Sequence, residues 1–162
     1  MIESEPPPAL EGFWVRLQPL SEASPGEIAA LDAAASWPTP MGGLVRRQVA
    51  VDGTADAMVI RDLSDAKAVG VITAREDEEN PGTCTLSLFV NTAQSRAGWA
   101  LEAFLLFALR QFDQGRHKLV FEVLSFNEPV LRLMGSLAWR RKPRCARTNT
   151  WRGGDGTCWS LA

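Results

Sequence analysis

The chain has 162 residues, room for one compact domain and no tandem array. Hydrophobic residues make up 46% and charged residues 22%, which excludes collagen-like, mucin-like and wholly disordered readings and predicts a real core. With 17 Lys+Arg against 19 Asp+Glu the formal charge is -2, so no excess positive field exists to hold a phosphate backbone, and no nucleic-acid partner is expected.

Cys84, Cys145 and Cys158 are odd in number and widely spaced, there is no CxxC, and His117 is the single histidine, so neither a zinc site nor a disulfide framework is expected. The start of the chain is acidic where a signal peptide would be basic, and no apolar run approaches the ~20 residues that span a bilayer. A cytoplasmic protein without a membrane partner is therefore expected. Arginine outnumbers lysine 14 to 3, a bias associated with high-GC bacterial genomes.

Residues 1–11 are polar, acidic and proline-rich and are expected to form a disordered tail ahead of a single domain over 12–162. From Phe13 the chain alternates apolar and polar as far as Pro19, which reads as a strand closed by a proline. Ser24 at a cap, Pro25 at the first helical position and Glu27 three residues after the cap predict a helix with Ile28, Leu31 and Ala35 on one face, stopped near Trp37–Pro40. The stretch Met41–Ala50 has too few periods to choose helix or strand.

Ala57–Leu63 and Lys67–Ala74 flank the turn-forming pair Ser64-Asp65 and predict an antiparallel hairpin. A second turn at Glu78–Gly82 leads into a fourth strand, Thr83–Val90. Its alternation puts Cys84, Leu86, Leu88 and Val90 on one face and Thr83, Thr85, Ser87 and Phe89 on the other. Ala97–Phe112 lacks proline and is apolar on most sides, as a deeply packed helix must be. Lys118–Leu124 is a nearly continuous apolar run that suits a strand buried on both faces, and the intervening helix makes these two strands parallel neighbours. Asn127 and Pro129 open a further helix to about Leu137, and two terminal antiparallel strands surround Gly153–Gly156. The expected class is α+β: a mixed, mostly antiparallel sheet of six to seven strands with one parallel βαβ unit and helices on both faces.

The junction between the fourth strand and the long helix carries the chemistry. A helix N-terminus there presents unpaired N–H groups and a positive dipole end, and Gly98 permits close approach, so an anion such as a diphosphate fits. On the motif alone plain strand-to-helix punctuation is the commoner reading.

Order and spacing extend the pattern. Ser95-Arg96-Ala97-Gly98-Trp99-Ala100 is followed by Glu102-Ala103, and, after the next strand, by Asn127-Glu-Pro-Val130 and Leu137-Ala138-Trp139. Over roughly Val15 to Leu161 the chain resembles the GNAT N-acetyltransferase superfamily, and within it the RimJ/RimL-like branch. That family's turn reads Arg/Gln-x-x-Gly-x-Gly/Ala and leads to Glu-Ala on the helix. Its later segment reads Asn-x-x-(Ser/Ala) and then Leu-Gly-Phe. Ser95, Arg96, Val130 and Ala138 depart from the pattern, but diphosphate binding uses mainly main-chain N–H groups, which these changes leave in place.

The resemblance implies acetyl-CoA, or another acyl-CoA, as co-substrate in a cleft where the fourth strand splays from the fifth. Backbone groups of Leu88, Phe89 and Val90 would bind the pantetheine amides as an added strand does, and the N–H groups of Ser95, Arg96, Ala97, Gly98, Trp99 and Ala100 would hold the diphosphate, with Asn127 contributing beyond the fifth strand. The Trp99 side chain either covers the cofactor or packs in the core. Trp37 and Met41 would border the acceptor side.

Chemistry in this fold is direct attack of an amine on the thioester, assisted by a base, a donor to the carbonyl and an acid for the leaving thiolate. Many relatives use a tyrosine on the last helix as acid; this chain has none, and Met134 stands at the matching place. Glu122 is the base candidate, with a paired structural carboxylate as the alternative. Ser87, on the polar face of the fourth strand, is the nearby hydroxyl. The acidic run Glu76–Glu79 is placed near the cleft mouth, either simply solvated or attracting a cationic amine. His117 is read as a surface residue, and no cysteine is marked as a nucleophile.

The expected function is acyl-CoA-dependent N-acyl transfer to a small-molecule amine or a peptide N-terminus. The alternative is a degenerate GNAT-fold protein that binds acyl-CoA or a protein partner without transfer. Relatives often pair through their sheets, which leaves room for a homodimer.

Overall fold

The computed structural model describes residues 8–34, 56–91, 98–124, 132, 135, 140–142 and 156–161. In chain order the strands are β1 (Leu10–Glu11), β2 (Val15–Pro19), β3 (Asp56–Asp62), β4 (Ala68–Glu76), β5 (Thr83–Val90), β6 (Lys118–Leu124), β7 (Arg140–Lys142) and β8 (Gly156–Leu161). Helix α1 spans Pro25–Ala34 and helix α2 spans Trp99–Asp113. The strands form one mixed sheet in the order β1-β2-β3-β4-β5-β6-β8-β7. Every neighbouring pair is antiparallel except β5 and β6, which α2 connects as a parallel unit.

This is the α+β architecture the sequence predicts, with one strand more. Leu10 and Glu11, assigned to the tail by their proline-rich surroundings, pair instead with Leu17 and Arg16. Leu10 packs against the core, and the Glu11 carboxylate accepts two hydrogen bonds from Arg16, at 2.6 and 3.0 Å. Ala35, Met41–Ala50 and most of the helix predicted after Asn127 lie outside the described residues; Arg132 and Gly135, within that last span, are helical.

Helix α1 starts as its sequence dictates. The Glu27 carboxylate accepts from the Ser24 N–H at 2.8 Å, and the Glu27 N–H donates to Ser24 Oγ at 3.3 Å, the reciprocal pair of a capping box. Ile28 and Leu31 then cover one face of the sheet with Leu20, Val59, Val71 and Phe89. The other face carries the main core, where Val15, Leu17, Met58, Ile60, Ile72, Cys84 and Leu86 meet Trp99, Ala103, Phe104 and Phe107 of α2. Phe107 is fully buried, so truncating it to alanine would cost about 3–5 kcal/mol.

Helix α2 is fixed at both ends. Near its C-terminus Arg110 Nε and Gln111 Nε2 donate to Asp56 Oδ2 on β3, at 3.0 and 2.8 Å. Gln111 is 1% exposed, so leaving its amide unpaired would carry the penalty of a buried polar group. At the other end Glu102 binds the β1–β2 turn.

Candidate active site

Strands β5 and β6 pair over four rows, from Thr83↔Lys118 to Leu86↔Phe121, and no further. Beyond that row β5 remains bonded to β4 through Gly70↔Val90, and β6 remains bonded to β8 through Leu124↔Gly156. The two strands therefore part between Ser87–Val90 and Glu122–Leu124, in the middle of the sheet. A wedge opens there, lined on each side by strand backbone that, among the described residues, has no strand partner across it.

The alternation predicted for β5 holds. Cys84 and Leu86, with the partly buried Leu88 and Val90, lie on the α2 face, while Phe89 joins the α1 face. Ser87 is half-buried between Leu86 and Leu88. Glu122 takes the register position one step past Phe121, opposite Cys158 of β8.

Chain placement then brings the helix start to the same end of the sheet. After Val90 the chain reaches Gly98, which caps α2 with φ +98°, a left-handed conformation that suits glycine and strains other residues. Among the described residues no side-chain hydrogen bond caps the helix there, and the Glu102 N–H makes the first turn's bond to the Gly98 carbonyl at 2.8 Å. The N–H groups of Trp99 and Ala100 belong to this first turn, where the helix dipole favours an anion. The Trp99 side chain is 3% exposed and packed in the core, which decides for packing over covering a ligand. Ser95, Arg96, Ala97 and Asn127 lie outside the described residues.

One expected placement is corrected. The acidic run Glu76–Glu79 does not border the wedge. It forms the β4–β5 turn, beside Cys84 and Thr83, while the wedge opens toward Val90, six residues or about 20 Å further along β5. Because β5 runs antiparallel to β4, the turn joining them must sit at the opposite end from the strand's exit. Its charges are also structurally engaged. Glu76 pairs with Arg116 at 2.7 Å, and Asp77 accepts from Asn80 Nδ2 and the Glu79 N–H, which lowers its pKa. His117 is exposed beside this turn, its N–H bonded to the Gly82 carbonyl at 2.9 Å.

Sequence reasoning missed the partners of Glu102. Its two carboxylate oxygens accept from three successive backbone N–H groups: Phe13 at 2.6 Å, Trp14 at 2.9 Å and Val15 at 3.0 Å. The Glu102-Ala103 pair flagged the position, but the contact spans 87 to 89 residues and leaves no local pattern.

An interrupted parallel pair inside a mostly antiparallel sheet, with a glycine-opened helix at the gap, defines the fold of the GNAT acetyltransferases. Solved structures agree. The chain is similar to a GCN5-related N-acetyltransferase from Brucella melitensis, with TM-score 0.70, 21% identity, and coverage of 99% of this chain and 83% of that one. It is also similar to FdhC, a nucleotide-linked sugar GNAT, with TM-score 0.70, 13% identity, and coverage of 94% and 89%. A third likeness is to RimL, a ribosomal-protein alpha-N-acetyltransferase, with TM-score 0.69, 11% identity, and coverage of 95% and 93%. At these identities the likeness is one of fold. No protein-family profile matches the chain, and no curated protein sequence matches it. Among the described residues no helix is long and apolar enough to cross a membrane.

Proposed function

We propose that the protein is an acyl-CoA-dependent N-acyltransferase of the RimJ/RimL-like kind, with acetyl-CoA first among its donors. It acts in the cytoplasm on the amine of a small molecule or a peptide N-terminus. The observation that carries this reading is the arrest of β5–β6 pairing after Leu86↔Phe121, next to the left-handed start of α2. An extended pantetheine arm suits the unpaired backbone of Leu88, Phe89 and Val90, in the manner of strand addition. A diphosphate suits the N–H groups from Ser95 to Ala100, with the Arg96 guanidinium adding charge. The likeness to FdhC and RimL supports both kinds of acceptor.

In this reading the wedge orients the thioester, and Glu122 takes the proton from the acceptor ammonium so that the free amine can attack. Backbone N–H groups of β5 at the gap polarise the carbonyl as negative charge develops on its oxygen. The leaving thiolate takes its proton from Ser87 or from water, because the chain contains no tyrosine.

That missing tyrosine also favours a second reading, in which the fold binds acyl-CoA, or a protein partner, without transferring the acyl group. Calorimetric titration with acetyl-CoA and thiol release with a panel of amines separate the two. Binding with turnover supports the enzyme and binding without turnover supports the second reading. Absence of both heat and thermal stabilisation removes acyl-CoA from the account.

A further inference from the structure

Glu102 joins two segments at the start of α2. Its carboxylate takes the three N–H groups of Phe13, Trp14 and Val15, at 2.6 to 3.0 Å, and so clamps the two-residue turn between β1 and β2. Two-residue hairpin turns ordinarily rely on glycine or asparagine with positive φ, and neither Phe13 nor Trp14 has it. The carboxylate substitutes for that turn chemistry by collecting the N–H groups the turn leaves unpaired.

The fit is close on both sides. A Cβ on Gly12 would lie 2.5 Å from Glu102 Cδ, so a larger residue there displaces the carboxylate from its three N–H partners. On the other side of the turn, a Cβ on Gly98 would lie 3.3 Å from Trp14 Cζ3, so the indole lies directly against the left-handed residue that opens the helix. Trp14 is nonetheless 53% exposed and Phe13 91% exposed, so hydrophobic burial does not explain why the turn is held so firmly.

We infer that Glu102 is a positioning residue for the nucleotide end of the co-substrate. Through the Phe13–Val15 turn it seats Trp14 against Gly98 and thereby fixes the N–H groups of the first turn of α2 in the orientation that receives a diphosphate. Glu102 touches no substrate itself. Its negative charge is taken up by the three N–H donors of the β1–β2 turn. The inference rests on the acyl-CoA reading and adds a device to it.

The test compares acetyl-CoA with acetyl-pantetheine, which carries the same thioester without the diphosphate and adenosine. In Glu102→Ala the affinity for acetyl-CoA by calorimetry should fall on the order of tenfold or more, with kcat at saturation nearly unchanged and the KM for acetyl-pantetheine unmoved. Gly12→Ala, which obstructs the same contact from the other side, should behave alike, and the double variant should be no worse than either single one. If Glu102→Ala does not fold, Trp14→Ala, at an exposed position, carries the test and should show the same selective loss. Equal weakening toward both thioesters, or unchanged affinity in folded variants, overturns the inference while the acyl-CoA reading stands. Failure of the wild-type protein to bind acetyl-CoA overturns both.

Discussion

Ser87 and Glu122 each stand one residue beyond the last paired row of the parallel ladder, Leu86↔Phe121, where β5 and β6 separate. In the proposed mechanism Glu122 is the base at this vertex. Glu122→Gln keeps the shape and removes the base. The expected result is a fall in kcat on the order of a hundredfold, with acetyl-CoA affinity within about twofold of wild type. Steady-state thiol release paired with calorimetry checks it, and an unchanged kcat removes Glu122 from the mechanism.

Gly70 controls the geometry of the same wedge from the β4 side. It pairs with Val90, and an added Cβ would run into the Phe89 carbonyl oxygen, part of the backbone stretch left unpaired toward β6. One residue away, Val69 is an extra residue opposite the Ile60–Arg61 step, a bulge that bends β4 at this point. Gly70→Ala must push the Phe89–Val90 backbone aside, at a cost of about 1–3 kcal/mol. Both a lower thermal midpoint and weaker acetyl-CoA binding are expected. Weaker binding is the informative part, because a purely local packing defect would lower the midpoint alone.

The elements that came through in the sequence are those whose signal is local. The alternation of Thr83–Val90, the Ser24/Glu27 box and the proline-free apolar helix each appear as read, and the helix length alone made β5 and β6 parallel. What stayed hidden is either too short to show a period or set by distant partners. Two residues at Leu10–Glu11 cannot alternate, and Glu102 meets the β1–β2 turn only after the chain has crossed the sheet. The acidic run was misplaced for a different reason: charge patterning locates a turn without saying at which end of a strand it falls.

Glu27 makes the fold sensitive to acid. The Arg61 guanidinium, followed by the Ser24 N–H, holds its carboxyl at about 2 against an ordinary 4.5. A depressed carboxyl stabilises the folded chain above its unfolded pKa, and that contribution is lost as pH falls from about 4.5 through about 2. The Glu27 side chain is one-third exposed, so solvent screening reduces the effect to about 1 kcal/mol. Urea midpoints measured at pH 7 and pH 2.5 should differ less in Glu27→Gln than in wild type, with most of the wild-type advantage lost at the lower pH.

Cys84 lies on the α2 face of β5, two rows before the wedge, and invites the idea of a thiol taking part in acyl transfer. Its surroundings oppose that. The residue is 1% exposed, and burial raises the thiol pKa to about 11, so at neutral pH it is protonated and a poor nucleophile. Its sulfur lies 3.9 Å from Gln111 Oε1, within the polar cluster that ties α2 to β3. In a Cys145→Ser/Cys158→Ser background, native protein at pH 7.5 should resist iodoacetamide and react at once after unfolding in urea. Cys84→Ala should keep amine acylation within about threefold of wild type, at a stability cost of about 1 kcal/mol for the lost sulfur. Rapid native alkylation, or a hundredfold loss of turnover in a folded Cys84→Ala protein, would instead place the thiol in the chemistry.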